Sequence, residues 1–347
     1  MCFSMSRFLL ERHPGGPILV ASPELSWERE GVFNPGVAWV NDEVVMLYRA
    51  VGERESYTSY FGLATSRDGI TFTRQSAVPV FGPSLPYDQW ATEDPRITLL
   101  NGQIYVTYVA VPDRIMDHGQ GIKRDLPLET SGALLTTADF RNFTHLGVIS
   151  PPGSDNKDIV LFPEKIGGRY LMLHRPNRWS KEWLATPFAK KTQTPLPCTP
   201  DELPAHPGIW LAQSEDLKTW TRHQLVLWPS HQEDAKIGPG LPPIKTSAGW
   251  LIIYHHVEIR AGKFIYSARA ALLDLEDPEK LVAKLPYDIL SPDLPFEQTP
   301  GAHIVFPTGG FVKQGKLYVY YGAGDGSIAL ATGSLSELLS AFNEFDM

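Results

Sequence analysis

An all-β fold, a five-bladed β-propeller, is what this sequence of 347 residues predicts, and three observations carry the prediction. One turn-and-strand pattern occurs five times. A short strand near a proline precedes every copy, and a third strand ending in small polar residues follows four of them. Only residues 334–342, at the end of the chain, read as a helix.

The repeated strand occupies residues 42–49, 102–109, 168–175, 248–255 and 315–322. Each copy is β-branched and aromatic, bounded by Gly or Asp, and too short for a helix. The preceding segments are Phe33-Asn34-Pro35, Glu93-Asp94-Pro95, Leu161-Phe162-Pro163, Gly238-Pro239 and Phe306-Pro307. Third strands follow at 62–66, 133–137, 210–214 and 329–332, with a looser fourth copy at 270–274. Three of the turns after them place an Asp before an aromatic: Asp68 with Phe72, Asp139 with Phe143, Asp216 with Trp220. The central strands start at Val44, Ile104, Tyr170, Trp250 and Leu317, so the steps are 60, 66, 80 and 67 residues. A regular unit of that length is a propeller blade. A sandwich would not explain five copies of one local pattern. The blade cores lie near 33–72, 93–143, 156–220, 238–277 and 303–332 of a single domain covering 1–347. Insertions at 112–129 and 179–207 read as rim loops that shape the mouth of a site, or join copies into a homo-oligomer.

Composition narrows the function. With 43% hydrophobic and 20% charged residues the chain can bury a large core. A net charge of −8 offers no basic face to nucleic acid. Two cysteines, Cys2 and Cys198, make no disulfide framework and suit a reducing compartment. No apolar run suits a signal peptide or a membrane span, so the expectation is a cytoplasmic protein. Absence of GxSxG, Walker, GxGxxG, HExxH and CxxC patterns removes the common hydrolase, kinase, dinucleotide and zinc readings. No cofactor is expected.

In a propeller the innermost strands converge on one axis, so polar residues repeated near them share a pocket. Glu93-Asp94-Pro95-Arg96 is the most informative stretch. Pro95 cannot donate to a ladder and suits an edge or a bulge. Strand alternation would send Asp94 and Arg96 to one side, an acid beside an anion-binding group. Taken alone, the stretch equally fits an ion pair stabilising a turn. Lys157 with Asp158, Lys165, and His174 with Arg175 add cations, although a solvated face is the simpler reading of Lys165. Arg175 occupies the same repeat position as Arg49, with His255 in a third copy, which points to phosphate. Asn34, His303 and Asp325 are further channel candidates, and His256 adjoins His255 but points the other way on a strand. Trp90 and Trp179 are rim aromatics that could stack on sugar rings.

These segments, with Tyr48-Arg49-Ala50, Asn156-Lys157-Asp158, His174-Arg175-Pro176 and Tyr320-Tyr321-Gly322-Ala323, resemble glycoside hydrolase family 130 in order along nearly the whole chain. The resemblance implies a five-bladed propeller that cleaves β-mannosides with one catalytic acid, Asp94. It implies inorganic phosphate as nucleophile and co-substrate, giving α-mannose 1-phosphate with inversion. Asn34, Arg49 and Asp325 would hold the sugar, and Glu93, Asp158, His174 and His255 complete the substrate-binding candidates. Arg96, Lys157, Lys165 and Arg175 would form the phosphate-binding set. Hydrolytic branches lack much of that set, so its presence favours phosphorolysis. The alternatives are an inverting β-mannosidase, with Glu258 or Asp325 as base, and a non-catalytic sugar-binding propeller. One departure, His256 where Gly more often follows the first His, is expected to reshape the acceptor side.

Overall fold

The computed structural model describes residues 7–113, 130–152, 154–179, 207–229 and 234–344. The two insertions therefore lie almost wholly outside the described residues, as does the side chain of Trp179. Among the described residues the regular elements are strands, apart from a short 3-10 turn at Pro295–Glu297 and the helix α1 (Leu335–Phe342). Ser334 caps α1, its hydroxyl accepting the Glu337 N–H at 3.3 Å. No helix among these residues is long and apolar enough to cross a membrane.

The chain opens with β1 (Glu11–Arg12) and β2 (Leu19–Val20). The first unit is an antiparallel sheet of β3 (Gly31–Val40), β4 (Glu43–Val51), β5 (Ser59–Ser66) and β6 (Thr73–Arg74). The second contains β7 (Ala91–Leu100), β8 (Gln103–Val111), β9 (Ser131–Thr137) and β10 (Phe143–Val148). The third contains β11 (Ser154–Leu161), β12 (Tyr170–Trp179), β13 (Ile209–Ser214) and β14 (Trp220–Leu227). A ten-stranded sheet holds the rest. One half is β15 (Asp234–Pro239), β16 (Ile244–Thr246), β17 (Gly249–Arg260), β18 (Lys263–Leu273) and β19 (Leu281–Lys284). The other is β20 (Ala302–Lys313), β21 (Lys316–Ala323) and β22 (Ser327–Ser334), completed by β1 and β2 on β22. The halves meet where Phe264, Ile265 and Tyr266 pair in parallel with Ala302, His303 and Ile304.

Strand alternation decides the packing. β4 sends Val44, Met46 and Tyr48 to a cluster with Tyr320 and Leu330 of the last unit. Its intervening Val45 and Leu47 join Ile97 and Val106 of the second unit. Further clusters join Leu134 to Met172, Leu173 to Trp250, and Leu251 to Val319, so each successive pair of units shares a core. Burying one such side chain contributes about 1.5–3 kcal/mol.

Two repeated polar devices fix the sheets. After the third strand, Asp68, Asp139 and Asp216 each accept two backbone N–H groups two and three residues on, at 2.7–2.9 Å. Those backbone donors pull the carboxyls of Asp68 and Asp139 down to about 2. In the second strand, Tyr48, Tyr108 and Tyr321 donate to the buried carboxylates of Glu28, Asp88 and Glu297 at 2.7, 2.7 and 2.8 Å. His174 takes this position in the third unit.

Asp88 is fully buried and its Oδ2 depends on the Tyr108 hydroxyl. Tyr108→Phe should therefore cost about 1–3 kcal/mol, the usual penalty for an orphaned buried acceptor. A urea unfolding curve reads this as a lower midpoint. An unshifted midpoint would show that the bond adds nothing.

Candidate active site

The innermost strands of the first three units share one irregularity. Their ladders break between Phe33 and Gly36, between Glu93 and Arg96, and between Lys157 and Val160. Inside each break stands Asn34, Asp94 or Asp158, with φ of 47°, 48° and 58°. A bulge needs one residue free of the ladder, and short Asn or Asp side chains tolerate the left-handed region best. Pro35 and Pro95 follow at no hydrogen-bond cost, because the ladder is already broken there. The sequence placed Phe162-Pro163 in this column. The structure places Asp158-Ile159 there, since β11 ends at Leu161. Asp325, in the turn between β21 and β22, is also left-handed, with φ of 48°.

These residues open onto a cavity of about 510 Å³. Asn34, Arg49, Glu93, Asp94 and Asp325 line one flank. Arg49 is the hub of that flank. It donates from Nη2 to Glu93 Oε1 at 2.7 Å and from Nη1 to Asp94 Oδ1 at 3.1 Å. Its guanidinium lies 4.9 Å from the centre of the Phe33 ring and 5.2 Å from that of Tyr57. Asn34 Nδ2 donates to the same Asp94 Oδ1 at 2.9 Å. Among the described residues no donor reaches Asp94 Oδ2, although Asp94 lines the cavity. Burial lifts the Asp325 carboxyl to about 6, with Asp94 and Glu93 adding to the rise and Arg49 opposing it.

Lys157, Asp158, Arg175, Lys236 and His255 line the other flank. Arg175 grips Asp158 Oδ2 from Nε at 2.7 Å and Nη2 at 2.6 Å, and His255 Nε2 stands 3.7 Å from that oxygen. Burial works against the Asp158 charge, but Arg175, His255 and Arg96 hold its carboxyl well below the usual range. Lys157 bridges the flanks, donating to Glu93 Oε2 at 2.9 Å. Burial depresses its ammonium, yet Glu93 more than offsets this and the pKa stands above the ordinary value. Burial and then Arg175 bring Lys236 down to about 7. Burial holds His255 well below the ordinary range, and among the described residues neither ring nitrogen has a hydrogen-bond partner. Room for this cluster comes from Gly238. A Cβ there would lie 2.5 Å from His255 Cε1 and 2.7 Å from both Arg175 Nε and Asp158 Oδ2.

Of the twelve residues to which the resemblance assigns catalysis, sugar or phosphate, the structure gathers nine at the cavity and leaves three elsewhere. Arg96 lies behind the wall, donating to the Gly240 carbonyl at 2.7 Å and the Asp94 carbonyl at 2.5 Å. Strand alternation had put it beside Asp94, but the bulge interrupts that alternation. Its Nη2 lies 3.6 Å from Asp158 Oδ1, so it supports the basic flank from outside. His174 faces away, between Asn156 at 3.0 Å and His223 Nδ1 at 3.1 Å, because it stands one residue before the channel-facing Arg175. Lys165 is exposed beyond the end of β11, 4.1 Å over the Tyr170 ring. His256 points to the back of its sheet, meets Asp234 Oδ1 at 2.6 Å and does not line the cavity. His303 meets Lys263 Nζ at 3.3 Å, and Glu258 pairs with Arg260; neither lines the cavity.

Sequence reasoning missed Lys236, Tyr57 and Tyr266, all of which line the cavity. Lys236 had one legible signal, its place two residues before Gly238-Pro239. The tyrosines had none, being one of many aromatics in strands and loops. Trp90, named as a rim aromatic, does line the cavity. Among the described residues no three His, Cys, Asp or Glu are grouped to hold a metal ion. The arrangement offers an acid with one open oxygen, beside a flank of cations and an unpartnered imidazole. That suits proton donation next to a bound oxyanion.

Comparison with known proteins agrees with this chemistry. Residues 22–196 and 199–344 match the model of glycoside hydrolase family 130, described as beta-1,4-mannooligosaccharide phosphorylase. A 1,2-β-oligomannan phosphorylase from Thermoanaerobacter sp. (strain X514) is 34% identical over 330 residues, covering 93% of this chain and 96% of that protein. A β-1,2-mannobiose phosphorylase from the same strain is 33% identical, covering 93% and 97%. The solved β-1,2-mannobiose phosphorylase from Listeria innocua, in complex with β-1,2-mannobiose, superposes with a TM-score of 0.74 at 27% identity. It covers 96% of this chain and 99% of that one. By sequence match and by fold, the chain belongs to glycoside hydrolase family 130.

Proposed function

We propose that the protein is a β-mannoside phosphorylase acting on β-1,2-linked mannosides. One observation carries the reading: Asp94, held through Oδ1 by Asn34 and Arg49 with Oδ2 open, stands beside a basic flank of Lys157, Arg175 and Lys236 with the His255 imidazole among them. Two of the other cavity acids are engaged, and Asp325 stands on the sugar side with its carboxyl raised to about 6. Glu93 is taken by Arg49 and Lys157, and Asp158 by Arg175. Phosphate, held by the basic flank, attacks the mannosyl C1 as the bond from C1 to the leaving oxygen breaks. Asp94 gives its proton to that oxygen. The products are α-mannose 1-phosphate and the shortened sugar. Phosphate is already anionic and needs no base, which is why one acid suffices where an inverting hydrolase needs two carboxylates. Asn34, Arg49 and Asp325 hold the mannosyl unit. The linkage follows the relatives, since those at 34%, 33% and 32% identity are named for β-1,2 substrates and the β-1,4 one stands at 28%.

The same reading makes the five units blades of one propeller. Its support is the chain of shared cores that runs from each unit to the next and from the last back to the first. The cavity then lies where the innermost strands converge.

A second reading has one observation in its favour: Asp325, with its carboxyl raised to about 6, could activate water in a β-mannosidase. An assay of β-1,2-mannobiose with and without inorganic phosphate separates the two. Phosphorolysis gives mannose 1-phosphate only when phosphate is present; free mannose released equally without phosphate would establish hydrolysis instead.

Asp94→Asn keeps the acceptor for Asn34 and Arg49 but removes the titratable proton. Turnover should fall roughly 10²–10⁴-fold, the range for lost general acid catalysis, with little change in unfolding midpoint. Near-normal turnover would remove Asp94 from its assigned role.

A further inference from the structure

His256 is buried, differs from the alanines that occupy its repeat position in β4, β8 and β21, and faces away from the cavity. Its partner Asp234 is buried too and belongs to β15, the short strand that carries Lys236 into the cavity. In a regular strand residues two apart share a face, so Asp234 and Lys236 would point the same way. They do not, because the register shifts between them: Asp234 stands opposite Glu258, but Lys236 stands opposite Val257. Two steps on β15 match one step on β17. Lys236 lies in the regular stretch that runs to Pro239 and shares the cavity face with Val257 and His255. The bulge acts on Asp234: it turns the carboxylate to the back face, beside His256, instead of leaving it on the face of Lys236.

Holding that bulge is a task for the bond between His256 Nε2 and Asp234 Oδ1, at 2.6 Å. The ring is backed from the other side. Its Nδ1 lies 3.8 Å from Asp288 Oδ1, and Asp288 is fixed by Arg269 Nε at 2.6 Å. Such a buried, charge-assisted bond is hard to exchange for water. We infer that the His256–Asp234 bond is a positioning device for phosphate: it anchors the start of β15 from behind the sheet and so holds Lys236, two residues on, in the basic flank. The inference rests on the phosphorylase reading above, and it concerns residues that touch neither substrate.

The test is steady-state kinetics with phosphate and β-1,2-mannobiose varied separately. His256→Phe keeps an aromatic ring and deletes the bond. It should raise KM for phosphate roughly 10- to 100-fold, the loss expected when a charged ligand group is misplaced, with KM for mannobiose little changed. Asp234→Ala removes the other half of the bond and should give the same split, which covers a failure of His256→Phe to fold. His256→Gln restores an N–H donor and should recover most of the phosphate affinity. Lys236→Met should show the same phosphate defect, and adding His256→Phe to it should make it no worse. Additive losses in the double variant, or His256→Phe raising both KM values alike, would overturn the inference while leaving phosphorolysis intact. A wild-type enzyme indifferent to phosphate would instead overturn the reading beneath it, and this inference with it.

Discussion

The site depends on a break in the inner ladder. In three units the inner ladder breaks where Asn34, Asp94 or Asp158 turns left-handed and projects from its strand. A non-glycine residue in that region is held there only when its surroundings over-determine it, and such strain collects at functional sites. Here the surroundings are visible. Asn34 and Arg49 hold Asp94, Arg175 holds Asp158, and the flanking strands are buried on both faces. A fourth break, in β15, turns Asp234 to the back of its sheet, while Lys236 two residues on faces the same cavity.

Charge is then divided by geometry. Arg49 and Lys157 both contact Glu93 and so tie the two flanks together. On the acidic side Asp325 is pushed toward its neutral form, while on the basic side Asp158 is pinned in its charged form. Burial raises both carboxyls. At Asp325 it prevails over Arg49, with Asp94 and Glu93 adding to the rise, whereas at Asp158 the combined pull of Arg175, His255 and Arg96 outweighs it. Lys236 and His255, both shifted toward neutrality by burial, leave the basic flank less than saturated with charge. An incoming oxyanion would raise the proton affinity of both. On the proposed reading, phosphate therefore completes the electrostatics of its own pocket.

Much of this was legible because repetition writes the same physics several times. Five copies of one strand pattern located the sheets, and the Arg49–Arg175–His255 column located three channel-facing side chains, as the register confirms opposite Phe33, Lys157 and Gly238. Errors arose where local pattern and three-dimensional register part. Arg96 followed alternation in the sequence, but the bulge at Asp94 cancels alternation there. His174 shared a motif with Arg175 and for that reason points the opposite way, into the column held elsewhere by Tyr48 and Tyr108. Lys165 stood in the phosphate set through the resemblance alone, and its place beyond the end of β11 leaves it exposed, in line with the simpler reading of a solvated side chain. Lys236 was missed although plain alternation from Gly238, which stands opposite His255, sends it to the cavity face.

The central claim is that one acid and a bound phosphate perform a single displacement at the mannosyl C1. Its stereochemistry is the most direct test. Proton and phosphorus NMR of the first product formed from β-1,2-mannobiose and phosphate would show the anomer before any equilibration. A single displacement gives α-mannose 1-phosphate. Accumulation of the β anomer would require two displacements through a covalent intermediate, and would contradict a site in which Asp94 acts only as an acid.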